Sequence, residues 1–155
     1  MQCARIGSEQ WTCAAHQPVS ERSLRRVRIL LADDHEEFLA AAVRHLQPHF
    51  EVVGAVGSGQ ALLDEAARLR PDVVVLDISM PVLNGIEAAR RLEATTDWLV
   101  RIVFLTVQAD PEYVRTALGT GALGYVLKSE LASDLLPCLQ EVLLGHSFIS
   151  PAIVR

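Results

Sequence analysis

The segment Val73-Val74-Val75-Leu76-Asp77, followed by Ile78-Ser79-Met80-Pro81 and Asn84-Gly85, indicates the fold of the chain. Four consecutive apolar residues, three of them β-branched, are typical of a strand buried on both faces, as in a parallel sheet. Such a strand does not hold an unpaired carboxylate, because burial of an uncompensated charge is costly. We therefore expect Asp77 at the carboxyl end of the strand, the edge at which open parallel sheets bind ligands. The alternative is an Asp that only caps the next turn.

The size and composition are those of one globular domain. The chain has 155 residues, of which 50% are hydrophobic and 21% charged, which is enough to bury a core. The formal net charge of -5 argues against a general nucleic-acid binder, which carries a basic excess. The sequence has no apolar run of membrane-spanning length, no apolar core of a secretory signal and three cysteines at no metal-binding spacing. We expect a cytoplasmic protein without membrane contact.

Five apolar strands alternate with five helical segments. This alternation predicts an α/β fold, in which a parallel sheet is covered by helices on both faces through right-handed crossovers. The domain is predicted to span residues 27–145, with a poorly ordered N-terminal extension over residues 1–26 and a tail or start of a linker over residues 146–155. The last helix is predicted from about Ser133, with Pro137 in its first turn. The predicted strands are Val27–Ala32, Glu51–Val56, Val73–Asp77, Val100–Leu105 and Tyr125–Leu127.

Polar residues follow the carboxyl ends of four of these strands. Asp33 and Asp34 come after the first strand, Asp77 ends the third, Thr106 ends the fourth and Lys128 follows the fifth. Because these strand ends meet at one edge of a parallel sheet, we expect the five side chains to lie together. Each has a simpler interpretation, as a helix cap, a turn residue or an exposed strand-end cation. Those separate roles would not place all five residues at the same edge.

The residue types predict phosphoryl-transfer chemistry. Clustered carboxylates either raise one another's pKa or hold a hard divalent cation, and Mg²⁺ prefers oxygen ligands from one or two carboxylates together with phosphate oxygens. A nearby lysine neutralises an incoming phosphoryl group, and a hydroxyl donates to one of its oxygens. The remaining carboxylate is a nucleophile toward phosphorus.

The chain resembles the receiver domains of two-component response regulators over about residues 27–145. The resemblance implies a flavodoxin-like, doubly wound sheet of five parallel strands in the order 2-1-3-4-5, and a signalling switch rather than an enzyme in the usual sense. Five motifs occur in order, namely Asp33-Asp34-His35, Leu76-Asp77 with Met80-Pro81, Asn84-Gly85, Thr106, and Tyr125 three residues before Lys128.

The same resemblance implies a role for each site residue. Asp77 would be the phosphoacceptor, receiving its phosphoryl group from a histidine kinase. Mg²⁺ would be held by Asp34, Asp77 and the main-chain carbonyl of Ser79, with Asp33 acting through water.

The resemblance also implies a switch. Thr106 would be the switch hydroxyl, Lys128 would bind the phosphoryl group, and Tyr125 would be the aromatic residue that changes rotamer. The signal would be read by a homodimer or a partner protein at the face of the fourth helix, fifth strand and fifth helix.

Three segments resemble the LuxR-type branch of the family, in which a helix-turn-helix domain normally follows the receiver. They are Asp33-Asp34-His35, Gly124–Lys128 and Gly145–Pro151. We expect residues 1–155 alone to make no specific complex with DNA, because no helix-turn-helix unit follows the last helix of this sequence. Val107 departs from the small residue found beside the site in many receivers, and we expect it to affect rates of phosphorylation.

Two alternatives belong to other functional classes. An aspartyl-phosphate-type phosphatase or phosphotransferase shares the strand-end Asp and the Mg²⁺ site, but uses a second acid two residues after the nucleophile, where this chain has Ser79. A phosphorylation-independent interaction module would not need the acids, Thr106 and Lys128.

Overall fold

A computed structural model describes residues 26–153 of the chain. Residues 1–25, which hold nearly all of the predicted N-terminal extension, and residues 154–155 lie outside the described part. The strands are β1 Arg28–Ala32, β2 Glu51–Val56, β3 Val73–Leu76, β4 Arg101–Thr106, β5 Gly124–Leu127 and β6 Phe148–Ile149. The helices are α1 Glu36–Leu46, α2 Gly59–Leu69, α3 Gly85–Thr95, α4 Pro111–Leu118 and α5 Leu131–Leu143.

The strands form one parallel sheet in the order β2-β1-β3-β4-β5-β6. This order confirms the predicted doubly wound fold and the order 2-1-3-4-5. Strand order reverses between β1 and β3, and in open α/β sheets the crevice at such a point is where ligands bind. The fold therefore presents a ligand edge at the carboxyl ends of β1 and β3.

The sheet has one strand more than the sequence predicted. Gly124 pairs with Phe148 and Tyr125 with Ile149, so that β6 covers the outer edge of β5. Phe148 and Ile149 were predicted to lie in the tail, because a two-residue strand is too short to show an alternating pattern. The strand β6 thus lies beside β5, which belongs to the predicted read-out face.

The core has two layers, one on each face of the sheet, because successive strand residues point to opposite faces. Leu30 and Val74 pack with residues of α2, α3 and α4, such as Leu62. Ile29 and Val75 pack with residues of α1 and α5. The fully buried strand β3 thus lies between both layers, as its uninterrupted apolar sequence predicted.

The helices begin at residues suited to that position. Side-chain oxygens of Ser58, Asn84 and Asp110 accept hydrogen bonds from the first-turn amides of α2, α3 and α4, which satisfies donors that have no partner within the helix. The cap of α1 is His35, whose side chain makes no capping hydrogen bond. The carboxylates that precede α1 therefore do not serve as its N-cap residue.

The predicted position of Pro137 is wrong. A 3₁₀ turn over Lys128–Glu130 continues directly into α5, so the helix begins at Leu131 rather than about Ser133. Pro137 consequently lies inside α5, where its ring removes one helical hydrogen bond. No helix within residues 26–153 is long and apolar enough to cross a membrane.

Candidate functional site

The strand register brings Asp33 and Asp77 together. Ala32 of β1 pairs with Leu76 of β3. The residues that follow these two strands, Asp33 and Asp77, therefore emerge at the same level. The amide of Asp77 donates to the carbonyl of Ala32 at 3.0 Å, which extends the ladder by one step. The side chains of Asp33 and Asp77 are only 6% and 3% exposed. Two carboxylates therefore lie at the switch point of the sheet, largely shielded from solvent.

Lys128 provides the cation between these two carboxylates. Its Nζ lies 2.7 Å from Oδ2 of Asp33 and 3.1 Å from Oδ2 of Asp77. The ammonium group also lies 4.6 Å from the centroid of the Phe38 ring, in a cation–π arrangement. The register explains this position, because Thr106 pairs with Leu127 and Lys128 is the next residue.

Asp34 and His35 complete the acidic end of the site. The side chain of Asp34 is 29% exposed, and Nδ1 of His35 lies 3.1 Å from Oδ1 of Asp33 and 3.2 Å from Oδ1 of Asp34. One potential ligand atom from each of Asp33, Asp34, His35 and Asp77 lies within 4.8 Å of the others. The site holds three carboxylates and one ammonium group, so carboxylate oxygens are in excess. This donor set fits a divalent cation, and the acidic site can bind a metal ion.

Thr106 and Tyr125 are linked through a residue that the sequence analysis did not identify. The amide of Gln108 donates to Oγ1 of Thr106 at 3.3 Å, and the carbonyl of Gln108 accepts the Tyr125 hydroxyl at 2.7 Å. Both Thr106 and Tyr125 are fully buried. Burial raises the pKa of the Tyr125 hydroxyl, and the charges of Asp77 and Asp110 raise it further. Tyr125 therefore occupies an inward position and holds the loop after β4.

Ser79 contacts the site through its amide and its hydroxyl. The amide donates to Oδ1 of Asp77 at 3.4 Å. The side-chain amide of Gln108 donates to the Ser79 hydroxyl at 3.3 Å, so one residue joins the loops that follow β3 and β4. Beside them, Val107 is 67% exposed and lines a surface hollow with Phe38 and Lys128.

The structure thus brings together Asp33, Asp77 and Lys128, with Asp34 beside them. Thr106 is connected to the loop after β3 through Gln108, which contacts Ser79. Gln108, Phe38 and the contact of His35 with the carboxylates were not predicted from the sequence. His35, which belongs to the motif that resembles the LuxR-type branch, has a side chain that is 63% exposed. Gln108 carries no charge and belongs to no periodic pattern, so no signal in the sequence identified it. Phe38 could have been identified, because it is an aromatic residue in the first turn of a helix that begins near the strand-end lysine.

Comparison with known proteins identifies the relatives of this chain. A family model described as a response regulator receiver domain matches residues 29–140. The transcriptional regulatory protein DegU of Brevibacillus brevis is 35% identical over 133 residues, which are 84% of this chain and 56% of that protein. The nitrate/nitrite response regulator protein NarL of Escherichia coli K12 is 38% identical over 128 residues, 81% of this chain and 58% of that protein. The chain therefore spans less than two thirds of the length of these relatives.

One solved structure is similar to this chain in both sequence and fold. A two-component response regulator of the LuxR family from Aurantimonas sp. SI85-9A1 superposes with a TM-score of 0.74 at 30% sequence identity. The match covers 83% of this chain and 93% of the other chain.

Proposed function

The chain belongs to the response regulator receiver domain family of two-component systems and is related to LuxR-type regulators, and on this basis we propose that Asp77 is its phosphoacceptor. The observation that carries the proposal is the contact of Lys128 with Asp77, because a buried ammonium group beside a carboxylate can neutralise an incoming phosphoryl group. The family match favours this function over the phosphatase alternative.

The proposed reaction transfers one phosphoryl group to the carboxylate. An oxygen of Asp77 attacks phosphorus, a P–O bond to the aspartyl oxygen forms, and the bond from phosphorus to the donor breaks with release of imidazole or acetate. Lys128 binds an oxygen of the transferred group, and the Thr106 hydroxyl donates to another. The chain accepts and later loses its own phosphoryl group, and it turns over no separate substrate.

We propose Mg²⁺ as the metal, held by Asp34, Asp77 and the main-chain carbonyl of Ser79, with Asp33 acting through water. The cation would supply charge neutralisation for the phosphoryl oxygens. The carboxylates suit this ion better than a softer metal, because Mg²⁺ prefers hard oxygen ligands. Asp34 is the most exposed of the three carboxylates and has no contact with Lys128 among the described ion pairs.

The proposed partner that donates the phosphoryl group is a histidine kinase, and the proposed output is made through protein contact. We expect residues 1–155 alone to give no sequence-specific complex with DNA at physiological salt, because the net charge of -5 repels a polyanion. A mobility-shift assay with unphosphorylated and phosphorylated protein measures this directly. Tight, sequence-dependent retardation would contradict it.

Uptake of phosphate from acetyl phosphate tests the assignment of Asp77. Wild type and Asp77→Asn are incubated with acetyl phosphate and Mg²⁺, and the intact mass is measured. The expected result is one added phosphoryl group on the wild type and none on Asp77→Asn. Asp64→Asn, an exposed substitution on α2, is the matched control and should behave as wild type. Equal uptake by Asp77→Asn and wild type would refute the assignment.

A further inference from the structure

Ser150 is a fully buried polar residue outside the carboxylate site. It directly follows β6 and contacts β5 in two ways. Its hydroxyl accepts a hydrogen bond from the amide of Leu127 at 3.1 Å, and its own amide donates to the carbonyl of Tyr125 at 2.9 Å. The outer edge of β5 is therefore satisfied by Ser150, as buried main-chain groups require.

The first of these contacts leads to the carboxylates. Leu127 is the last residue of β5, and Lys128 follows it with its Nζ between Asp33 and Asp77. The Leu127 amide is thus held by Ser150 immediately before the chain turns toward the site. The residue that contacts both carboxylates is therefore the direct neighbour of the residue that Ser150 holds.

The second contact leads to Thr106. Tyr125 accepts from Ser150 through its carbonyl and donates from its hydroxyl to the carbonyl of Gln108. Gln108 in turn donates its amide to Oγ1 of Thr106. Two connections therefore meet at Ser150. One runs along the main chain from Lys128 to Leu127, and the other runs through hydrogen bonds from Thr106.

The segment beyond Ser150 is held to the same place. The amide of Ile153 donates to the carbonyl of Ser150 at 2.9 Å, and the side chains of Ile149 and Ile153 pack against the core layer that contains Tyr125. Residues 148–153 thus form one short unit, named here the edge segment, that pairs with β5.

We propose that Ser150 is a positioning residue that couples the state of the Asp77 site to the edge segment, so that phosphorylation of Asp77 strengthens the pairing of residues 148–153 with β5. The proposal rests on the phosphoacceptor role proposed above for Asp77. A phosphoryl group carries a charge of about -1.5 to -2. This charge is larger than that of the Asp77 carboxylate, so it attracts the Lys128 ammonium group more strongly. Lys128 then restrains Leu127, whose amide bonds to Ser150.

Coupling of this kind is reciprocal. If phosphorylation stabilises the pairing of the edge segment, then this pairing stabilises the phosphorylated state by the same factor. Loss of the Ser150 hydroxyl should weaken both effects. A residue that merely satisfies the edge of β5 would stabilise the phosphorylated and unphosphorylated forms equally. Comparison of the two forms therefore separates positioning from a general structural role.

Amide hydrogen exchange on the full chain tests the proposal. Wild-type protein is treated with acetyl phosphate and Mg²⁺, phosphoryl uptake is verified by intact mass, and exchange is then compared with that of untreated protein. After phosphorylation, the amides of Leu127 and Ser150 are expected to exchange at least about five-fold more slowly. This factor is the lower end of typical coupling between two sites. The amides of Leu62 to Ala66 on α2 should keep their rates, which excludes a global change in stability.

The variants Ser150→Ala and Ser147→Ala extend the test. Ser147 is exposed and directly precedes the edge segment, so Ser147→Ala should keep the wild-type response, whereas Ser150→Ala should lose most of it. If Ser150→Ala does not fold, the comparison of phosphorylated and untreated wild-type protein still tests the proposal. Full phosphoryl uptake with unchanged exchange of the wild-type edge segment, or equal responses of the two folded variants, would overturn this inference and leave the phosphoacceptor role intact. Absence of uptake, detected by mass before exchange begins, would refute that role and this inference with it.

Discussion

Gly85 packs directly against the main chain of Asp77. Its amide donates to the carbonyl of Ile78 at 2.8 Å, and a Cβ atom at position 85 would overlap the carbonyl oxygen of Asp77. The first residue of α3 and the candidate phosphoacceptor are thereby held in contact. This contact needs a residue without a side chain, because the neighbouring atoms belong to main chain that is tied into the sheet.

Gly85→Ala is expected to destabilise the protein and disturb the site. Alanine favours a helix over glycine by about 1 kcal/mol, but the overlap with the Asp77 main chain costs about 1–3 kcal/mol, as overpacking of a core does. The overlap should prevail, because the first residue of a helix gains little from propensity. Urea denaturation should show a lower free energy of unfolding, and acetyl phosphate should transfer its phosphoryl group more slowly.

Gly57→Ala is the matched control for this substitution. The nearest atom to a Cβ at position 57 would lie 4.0 Å away, so its stability should change by no more than about 0.5 kcal/mol. If both variants lost the same stability, the contact of Gly85 with Asp77 would not explain the effect.

The strand-end residues were predictable because the rule that places them is geometric. Once Val73–Leu76 is identified as a buried parallel strand, Asp77 has to emerge at its carboxyl end, and Asp33, Thr106 and Lys128 follow other strands at the same edge. The register then brings Asp33 and Asp77 to the same level and places Lys128 directly after the end of β5.

The linking residues could not be predicted in this way. Gln108 makes hydrogen bonds through its main-chain amide, its carbonyl and its side-chain amide. Nearly any residue type can make the main-chain contacts, so they cannot be predicted from the sequence. Ser150 follows a strand of two residues, which is too short for a periodic pattern. Pro137 was misplaced because the 3₁₀ turn after β5 moved the start of α5 toward the N-terminus.

Asp34→Ala should weaken Mg²⁺ binding far more than Ser79→Ala. Asp34 offers a charged carboxylate, whereas Ser79 is proposed to act through its main-chain carbonyl, which alanine retains. Loss of even an outer-shell partner of a metal costs about 10–100-fold in affinity, so removal of a carboxylate ligand should cost about 10-fold or more. Isothermal titration calorimetry with Mg²⁺ measures both variants, and comparable losses would mean that the proposed ligand set is wrong.

The stability of the fold should fall at alkaline pH through Cys138. Burial raises the pKa of this thiol from its ordinary value of 9.0 to about 12. The unfolded thiol ionises above its ordinary pKa while the folded thiol stays neutral, so stability is complete below pH 9.0 and is lost between there and about pH 12. The loss is about 1.4 kcal/mol for each pH unit in this window, or about 2 kcal/mol near pH 10.5.

Urea denaturation of wild type and Cys138→Ala at about pH 8 and about pH 10.5 measures this contribution. The variant should lose stability at both pH values, because its smaller side chain leaves a cavity against Gly124 and Val103. The further drop between the two pH values should be smaller for the variant than for wild type. An identical drop in both proteins would exclude Cys138 as its source.

Tyr125→Phe should destabilise the protein and release the loop after β4. The Tyr125 hydroxyl donates to the carbonyl of Gln108 at 2.7 Å, and removal of a hydrogen bond of this kind costs about 0.5–1.5 kcal/mol. Ring packing against Phe104 is retained by phenylalanine, so the measured difference reports the hydroxyl.

Tyr113→Phe is the matched control, since Tyr113 is 41% exposed on α4 and its substitution should change stability by less than about 0.5 kcal/mol. Urea denaturation gives both values, and amide shifts of Gln108 and Thr106 in NMR spectra should accompany only Tyr125→Phe. Shifts confined to residues next to position 125 would show that Tyr125 does not hold the Thr106 loop, and the proposed connection from that loop to β5 would then fail.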